Sequence, residues 1–188
     1  MTLSQRARDS LDSMMIAGLR QSMGPQHSEM QIRTVPAVEQ DSLTHMAVLS
    51  IASYSFRIIA ALHFAHDART RAWIAGMVGQ DEREMGPQPF IDAICEVGNM
   101  CCGAMNRELG AFYDCLGLST PQILDIRSLP HMAQIGTDHL QHFRIDLPNG
   151  VLGGLPLHAT LCARAYTPMD FHWKPPKVEE VAGELEFF

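Results

Sequence analysis

Asp92, Glu96, Asn99 and Gly103 follow one another at steps of four, three and four residues. On a helix, where each residue turns by about 100°, that spacing aligns them along one face. A carboxylate at Glu96 can pair with a cation on another molecule, and the Asn99 amide can both donate and accept hydrogen bonds. Such an amide can hold a water in line with a phosphorus atom without acting as a base. Phosphoryl chemistry relies mainly on positioning and charge stabilisation, so this is enough. Gly103 costs a helix about 1 kcal/mol relative to Ala, which marks a point where another surface approaches closely. Asn106 and Arg107 flank the polar line. The competing interpretation is a merely solvated helix face, because Glu-x-x-Asn is a common combination.

Other reactive residues carry weaker signals. The nine histidines include His63-x-x-His66-Asp67 and His139-x-x-His142. Residues three apart on a strand point to opposite faces, so neither pair readily chelates, and both are expected at the surface or at strand ends. The five cysteines (Cys95, Cys101, Cys102, Cys115 and Cys162) contain no Cys-x-x-Cys. No metal site is expected from them, and in a reducing cytoplasm no disulfide framework. Cys101 projects towards the core, with Cys95 and Cys102 beside it, and buried thiols without cationic neighbours are inert. A thiol- or metal-dependent enzyme therefore ranks behind the polar helix face. Gly150 to Gly154 follow a hairpin turn and do not form a phosphate-cradling loop. The twelve methionines are scattered and read as core filler.

The helix that must carry the polar line spans about 89 to 109, between Gly86-Pro87-Gln88-Pro89 and Gly110. Phe90, Ile94, Val97, Cys101 and Met105 form its opposite, apolar stripe, with Glu108 the exception that projects near that stripe. An amphipathic helix is predicted over 3–23, stopped by Gly24-Pro25, and a short one over 68–79, with Asp67 as N-cap and Gly79 as stop. Extended segments are predicted near 29–37, 43–52 and 54–64, the first two separated by Gln40-Asp41-Ser42. After Ser119-Thr120-Pro121 comes a short apolar stretch, Ile123 to Ile126. A hairpin follows, from Leu140 to Leu147 through Pro148-Asn149-Gly150 to a return strand near 155–165. Short turns imply a largely antiparallel sheet, and the long helices cover one of its faces. The expectation is an α+β protein of two similar α/β halves: one domain over 1–170 and a surface tail over 171–188.

Composition narrows the function. The 188 residues carry a net charge of −7 and no run of Lys or Arg, which disfavours nucleic acid. No apolar stretch reaches membrane-spanning length, and the polar N-terminus does not resemble a signal peptide, so a cytoplasmic protein without membrane insertion is expected.

The stretch from Asp92 through Glu96, Asn99 and Gly103 to Leu109 resembles the signature helix of the CheC/CheX/FliY phosphatases. Ser119 and Pro121 fill the family's downstream Ser and Pro places, Pro121 about one residue early, and Trp73 to Gly79 resembles its preceding short helix and glycine loop. The resemblance implies a CheC-like fold and a response-regulator phosphatase acting on the aspartyl phosphate of a CheY-like receiver domain. Glu96 would pair with the receiver's lysine, and Asn99 would orient the attacking water. Asp92 would support that face, with Gly103, Asn106 and Pro121 as supporting or partner-binding positions. Mg²⁺ would be held by the receiver, with no cofactor on this chain. The first helix lacks Glu and no Asn precedes Asn99, so the motif occurs once. That is nearer CheX, whose resemblance implies a homodimer built by sheet pairing. The alternative function is a non-catalytic receiver-binding or flagellar-switch-like interaction module.

Overall fold

Ser4 opens the first helix, α1 (Gln5–Met23), its hydroxyl accepting the Ala7 N–H at 3.1 Å. The Ser4 cap satisfies one of the donors that a helix start leaves free. Leu11, Met14, Met15, Gly18 and Leu19 repeat at helical spacing and form the buried face. The computed structural model describes residues 2–24, 30–147 and 157–175. Three strands follow: β1 (Gln31–Val35), β2 (His45–Ala52) and β3 (Phe56–Phe64). Asp67 caps α2 (Ala68–Val78) by accepting the Thr70 N–H at 2.9 Å, and Gly79 ends it at φ 70°, a left-handed conformation that glycine adopts without steric cost. Pro87 lies at the start of α3 (Pro87–Leu109), where its missing N–H costs nothing. Then come β4 (Gly117–Leu118), β5 (Gln122–Asp125), the one-turn α4 (Leu129–Met132), β6 (His139–Asp146) and β7 (Leu157–Ala165). Elements match the expected segments closely, except that β4 and the one-turn α4 with its flanking 3-10 turns are not among them. The expected turn at Pro148-Asn149-Gly150 lies outside the described residues.

The seven strands form one sheet in the order β1-β6-β7-β3-β2-β4, with β5 also on β2, and every pairing is antiparallel. Two halves of like layout emerge: α1-β1-β2-β3 and α3-β4/β5-β6-β7. Their last strands, β3 and β7, pair at the centre of the sheet, with β2 and β6 flanking them. The outer strands are exchanged, since β1 of the first half pairs with β6 of the second and β4/β5 of the second pair with β2 of the first.

Alternation along the strands creates two faces. Leu49, Ile51, Phe56, Ile58, Phe64, Phe143, Ile145 and Leu161 join α1 and α3 in the main core. A smaller cluster on the other face gathers Val38, Leu43, Met46, Leu129, Met132 and Cys162 beneath α4. Close helix packing depends on two glycines. A Cβ at Gly18 would meet the Cys101 carbonyl oxygen at 2.9 Å, and one at Gly98 would meet Leu49 Cδ1 at 2.7 Å.

Two expectations need correcting. A surface tail is expected over 171–188, yet Phe171 at its start is 5% exposed and, with Met169 at 2%, belongs to the main core. The Phe171 ring packs tilted against Phe112 at 4.9 Å and edge-on against Tyr113 at 5.8 Å, and the apolar area of a Phe favours this burial. His63, expected at the surface or a strand end, does lie one residue from the end of β3, yet it is wholly buried, because β3 is a central strand with His158 of β7 opposite it. His66 does lie past the strand end, exposed, with its ring stacked on Phe90 at 5.0 Å.

Candidate functional site

Helix α3 keeps the two faces that its periodicity predicts. Phe90, Ile94, Val97, Cys101 and Met105 are buried against the sheet and α1, so the helix cannot rotate without losing that contact. On the outer side Asp92 and Glu96 are exposed, and Asn99, Gly103 and Asn106 are half-buried. The Asn99 Nδ2 donates to Glu96 Oε2 at 3.4 Å, one turn away. That contact lies at the long end of hydrogen bonding and holds the amide and carboxylate side by side without locking them. Both groups remain free to exchange this contact for a partner's.

The neighbouring positions differ in character. Asp92 Oδ1 accepts from Gln88 Nε2 at 2.8 Å, an i to i+4 contact that orients the carboxylate near the start of the helix. A Cβ at Gly103 would find nothing within 4 Å among the described residues, so the helix presents bare backbone there. Asn106 is less available, because its Oδ1 is closed to solvent and has no hydrogen-bond donor among the described residues. Pro121 is on a different element: it is half-buried between β4 and β5 at the sheet edge. Two residues earlier, Ser119 is pinned to that edge, its Oγ accepting from the Ser50 N–H and its own N–H donating to the Ser50 carbonyl, both at 2.9 Å. Glu108 acts structurally, accepting from Trp173 Nε1 at 2.9 Å, which explains why an acid lies near the buried stripe.

Neither the thiols nor the histidines compete with this face. Burial pushes the Cys102 thiol up to about 12 and the Cys101 thiol well above its ordinary value, and burial together with Asp92 raises Cys95. All three are therefore held protonated and poorly nucleophilic near neutrality. His139 and His142 point to opposite sheet faces: His139 Nε2 meets Asp12 of α1 at 2.7 Å, and His142 Nδ1 meets Thr160 at 2.8 Å. Among the described residues, no group of three or more His, Cys, Asp or Glu side chains is placed to hold a metal ion.

One feature of this face was not anticipated. Beside Glu96 a cleft of about 300 Å³ opens between the end of α1, the end of α2 and the middle of α3. Met77, Val78 and Met100 line it, although the methionines had been assigned to the core. The one sequence signal was Met100, an apolar residue directly after Asn99 and outside the buried stripe.

The architecture is the CheC/CheX/FliM fold, an α+β sheet with long helices on one face. CheX from Vibrio vulnificus superposes with a TM-score of 0.59 at 12% identity, covering 82% of this chain and 99% of that one. CheX in a complex with CheY, BeF3 and Mg from Borrelia burgdorferi gives 0.61 at 11% identity, covering 83% and 96%. The FliM middle domain of Vibrio alginolyticus gives 0.50 at 11% identity, covering 85% and 94%. At these identities the likeness is one of fold. No protein-family model matches the chain, and no curated protein matches it in sequence. No helix among the described residues is long and apolar enough to cross a membrane.

Proposed function

We propose that this protein is a CheX-type response-regulator phosphatase that hydrolyses the aspartyl phosphate of a CheY-like receiver domain in the cytoplasm. The observation that carries this is the Glu96–Asn99 pair, displayed on the outer face of α3 with its side chains 3.4 Å apart, on a CheX fold. The solved complex of a CheX with CheY, BeF3 and Mg supports a receiver as partner.

The chemistry asks little of this chain. Glu96 pairs with the receiver's lysine and fixes the docking register. Asn99 then enters the receiver's site, and its amide oxygen accepts a hydrogen bond from a water, aiming the water oxygen at phosphorus. The new O–P bond forms as the P–O bond to the aspartyl oxygen breaks, yielding inorganic phosphate and a free receiver carboxylate. Mg²⁺ stays on the receiver throughout and offsets the phosphoryl charge. Excluding bulk water and holding one water in line supply the rate gain. Asp92, Gly103, Asn106 and Pro121 support or contact the partner, Gly103 by letting its surface approach the helix backbone.

The test follows phosphate release from a phosphorylated CheY-like receiver. Asn99→Ala should reduce the accelerated rate to the receiver's own while binding persists, a loss of about 100-fold or more for a positioning group. Glu96→Ala should chiefly raise KM. Binding without acceleration by the unaltered protein, across a panel of receivers, would support the second reading instead. That reading is a flagellar-switch-like interaction module, which the fold shared with a FliM middle domain favours.

A further inference from the structure

The cleft beside Glu96 has a buried apolar floor and an exposed apolar rim. Met23 and Val97 at its base are 0% and 2% exposed, whereas Val78 and Met100 at its mouth are 44% and 45% exposed. Large apolar side chains exposed singly on a surface are ordinary; these two frame the mouth of a cleft whose floor is apolar. Met77 and Met100 are unbranched and polarisable, so the walls can adapt to an incoming side chain. Glu96 forms one wall of the cleft and also touches Asn99. A protein surface that seats a cation on Glu96 therefore lies next to the mouth of the cleft.

We propose that the cleft takes an apolar side chain of the phosphorylated receiver, inserted next to the lysine that pairs with Glu96. The inference rests on the phosphatase reading and adds what that reading lacks, a source of affinity and of choice between receivers. An exposed ion pair is worth little alone, whereas an apolar anchor in a desolvated pocket is the usual centre of a protein interface. The occupant thus has defined chemistry: a protein surface with a basic residue adjoining a projecting aliphatic or aromatic one. Receivers that place a charged residue there would be rejected by the desolvation of that charge.

The test compares turnover of a CheY-like receiver phosphorylated with acetyl phosphate. Met100→Asp and Val78→Asp, both at exposed positions, are expected to raise KM at least tenfold with kcat within twofold. The same charge at Tyr54, 79% exposed in the turn between β2 and β3, should change neither constant. If both cleft variants keep KM within twofold while Asn99→Ala abolishes acceleration, the cleft proposal falls and the phosphatase reading stands. If Asn99→Ala turns over normally, the phosphatase reading falls, and the receiver is lost as the cleft's occupant.

Discussion

Three histidines lie on the sheet face that the long helices leave uncovered, away from the proposed chemistry. His63 Nε2 and His142 Nδ1 each lie 2.8 Å from the Thr160 hydroxyl, which can donate to one ring and accept from the other. His158, in register with His63, is 1% exposed, and neither of its nitrogens has a hydrogen-bond partner among the described residues. Burial, with His158 and His142 nearby, holds His63 down to about 3, and burial also lowers His142 and His158. The unfolded chain therefore binds protons that the folded chain refuses, so folding should be most stable above about pH 6.5, the ordinary histidine value. Below it, stability should fall by up to about 1.4 kcal/mol per pH unit for His63, a decline that continues towards its folded value, and His142 and His158 should add to it in the same direction. Urea midpoints between about pH 7 and pH 5 measure this. A flat profile would mean that the three rings titrate in the folded protein much as they do when unfolded. The burial of His63 was not legible in the sequence, because a polar ring on a strand gives no sign of how many strands lie on either side.

Helix α3 was legible because one element supplies both its signals. Its apolar stripe and its polar line differ only by angle on one cylinder, so periodicity alone places Glu96 and Asn99 outward. The caps of α2 were equally local, Asp67 and Gly79 each acting within one turn. What sequence could not supply was the tightness of helix packing. At Gly18 the obstacle to a Cβ is the backbone carbonyl of Cys101, 2.9 Å away, which cannot move unless α3 moves. Gly18→Ala should therefore destabilise by about 1–3 kcal/mol despite the better helix propensity of alanine. Gly103→Ala, where a Cβ meets nothing among the described residues, should instead stabilise by about 0.5–1 kcal/mol. Thermal melts of the two variants should shift in opposite directions, and a shared direction would contradict the packing described for α1 and α3.

At the scale of the whole molecule, contacts between distant segments decide what short-range patterns cannot. The segment after β7 returns to α1: Asp170 accepts from Ser4 Oγ at 2.6 Å and from Arg6 Nε at 3.1 Å, and the Trp173 N–H donates to Ser10 Oγ at 3.0 Å. Phe171 is the apolar centre of this strap, and Phe171→Ala should cost about 3–5 kcal/mol, read as a lower urea midpoint with an unchanged slope. A loss below about 1 kcal/mol would show the strap to be peripheral. The overall class, long helices on an antiparallel sheet, followed from element order, and the pairing of β3 with β7 joins the two expected halves. The exchange of outer strands was invisible, since nothing in residues 31–35 names residues 142–146 as their partners.

That exchange governs how the chain can be made. Strand β7 fills the middle of the sheet, between β3 and β6, and among the described strands β1 has no neighbour until β6 exists. During synthesis from the N-terminus, β2 and β3 can form their hairpin early. The open edge of β3, rich in Ile, Ala and Leu, must then wait for more than ninety further residues to leave the ribosome before Leu157–Ala165 arrives to cover it. The nascent chain thus spends its longest interval with its stickiest strand bare, the stage at which a holding chaperone has most to protect.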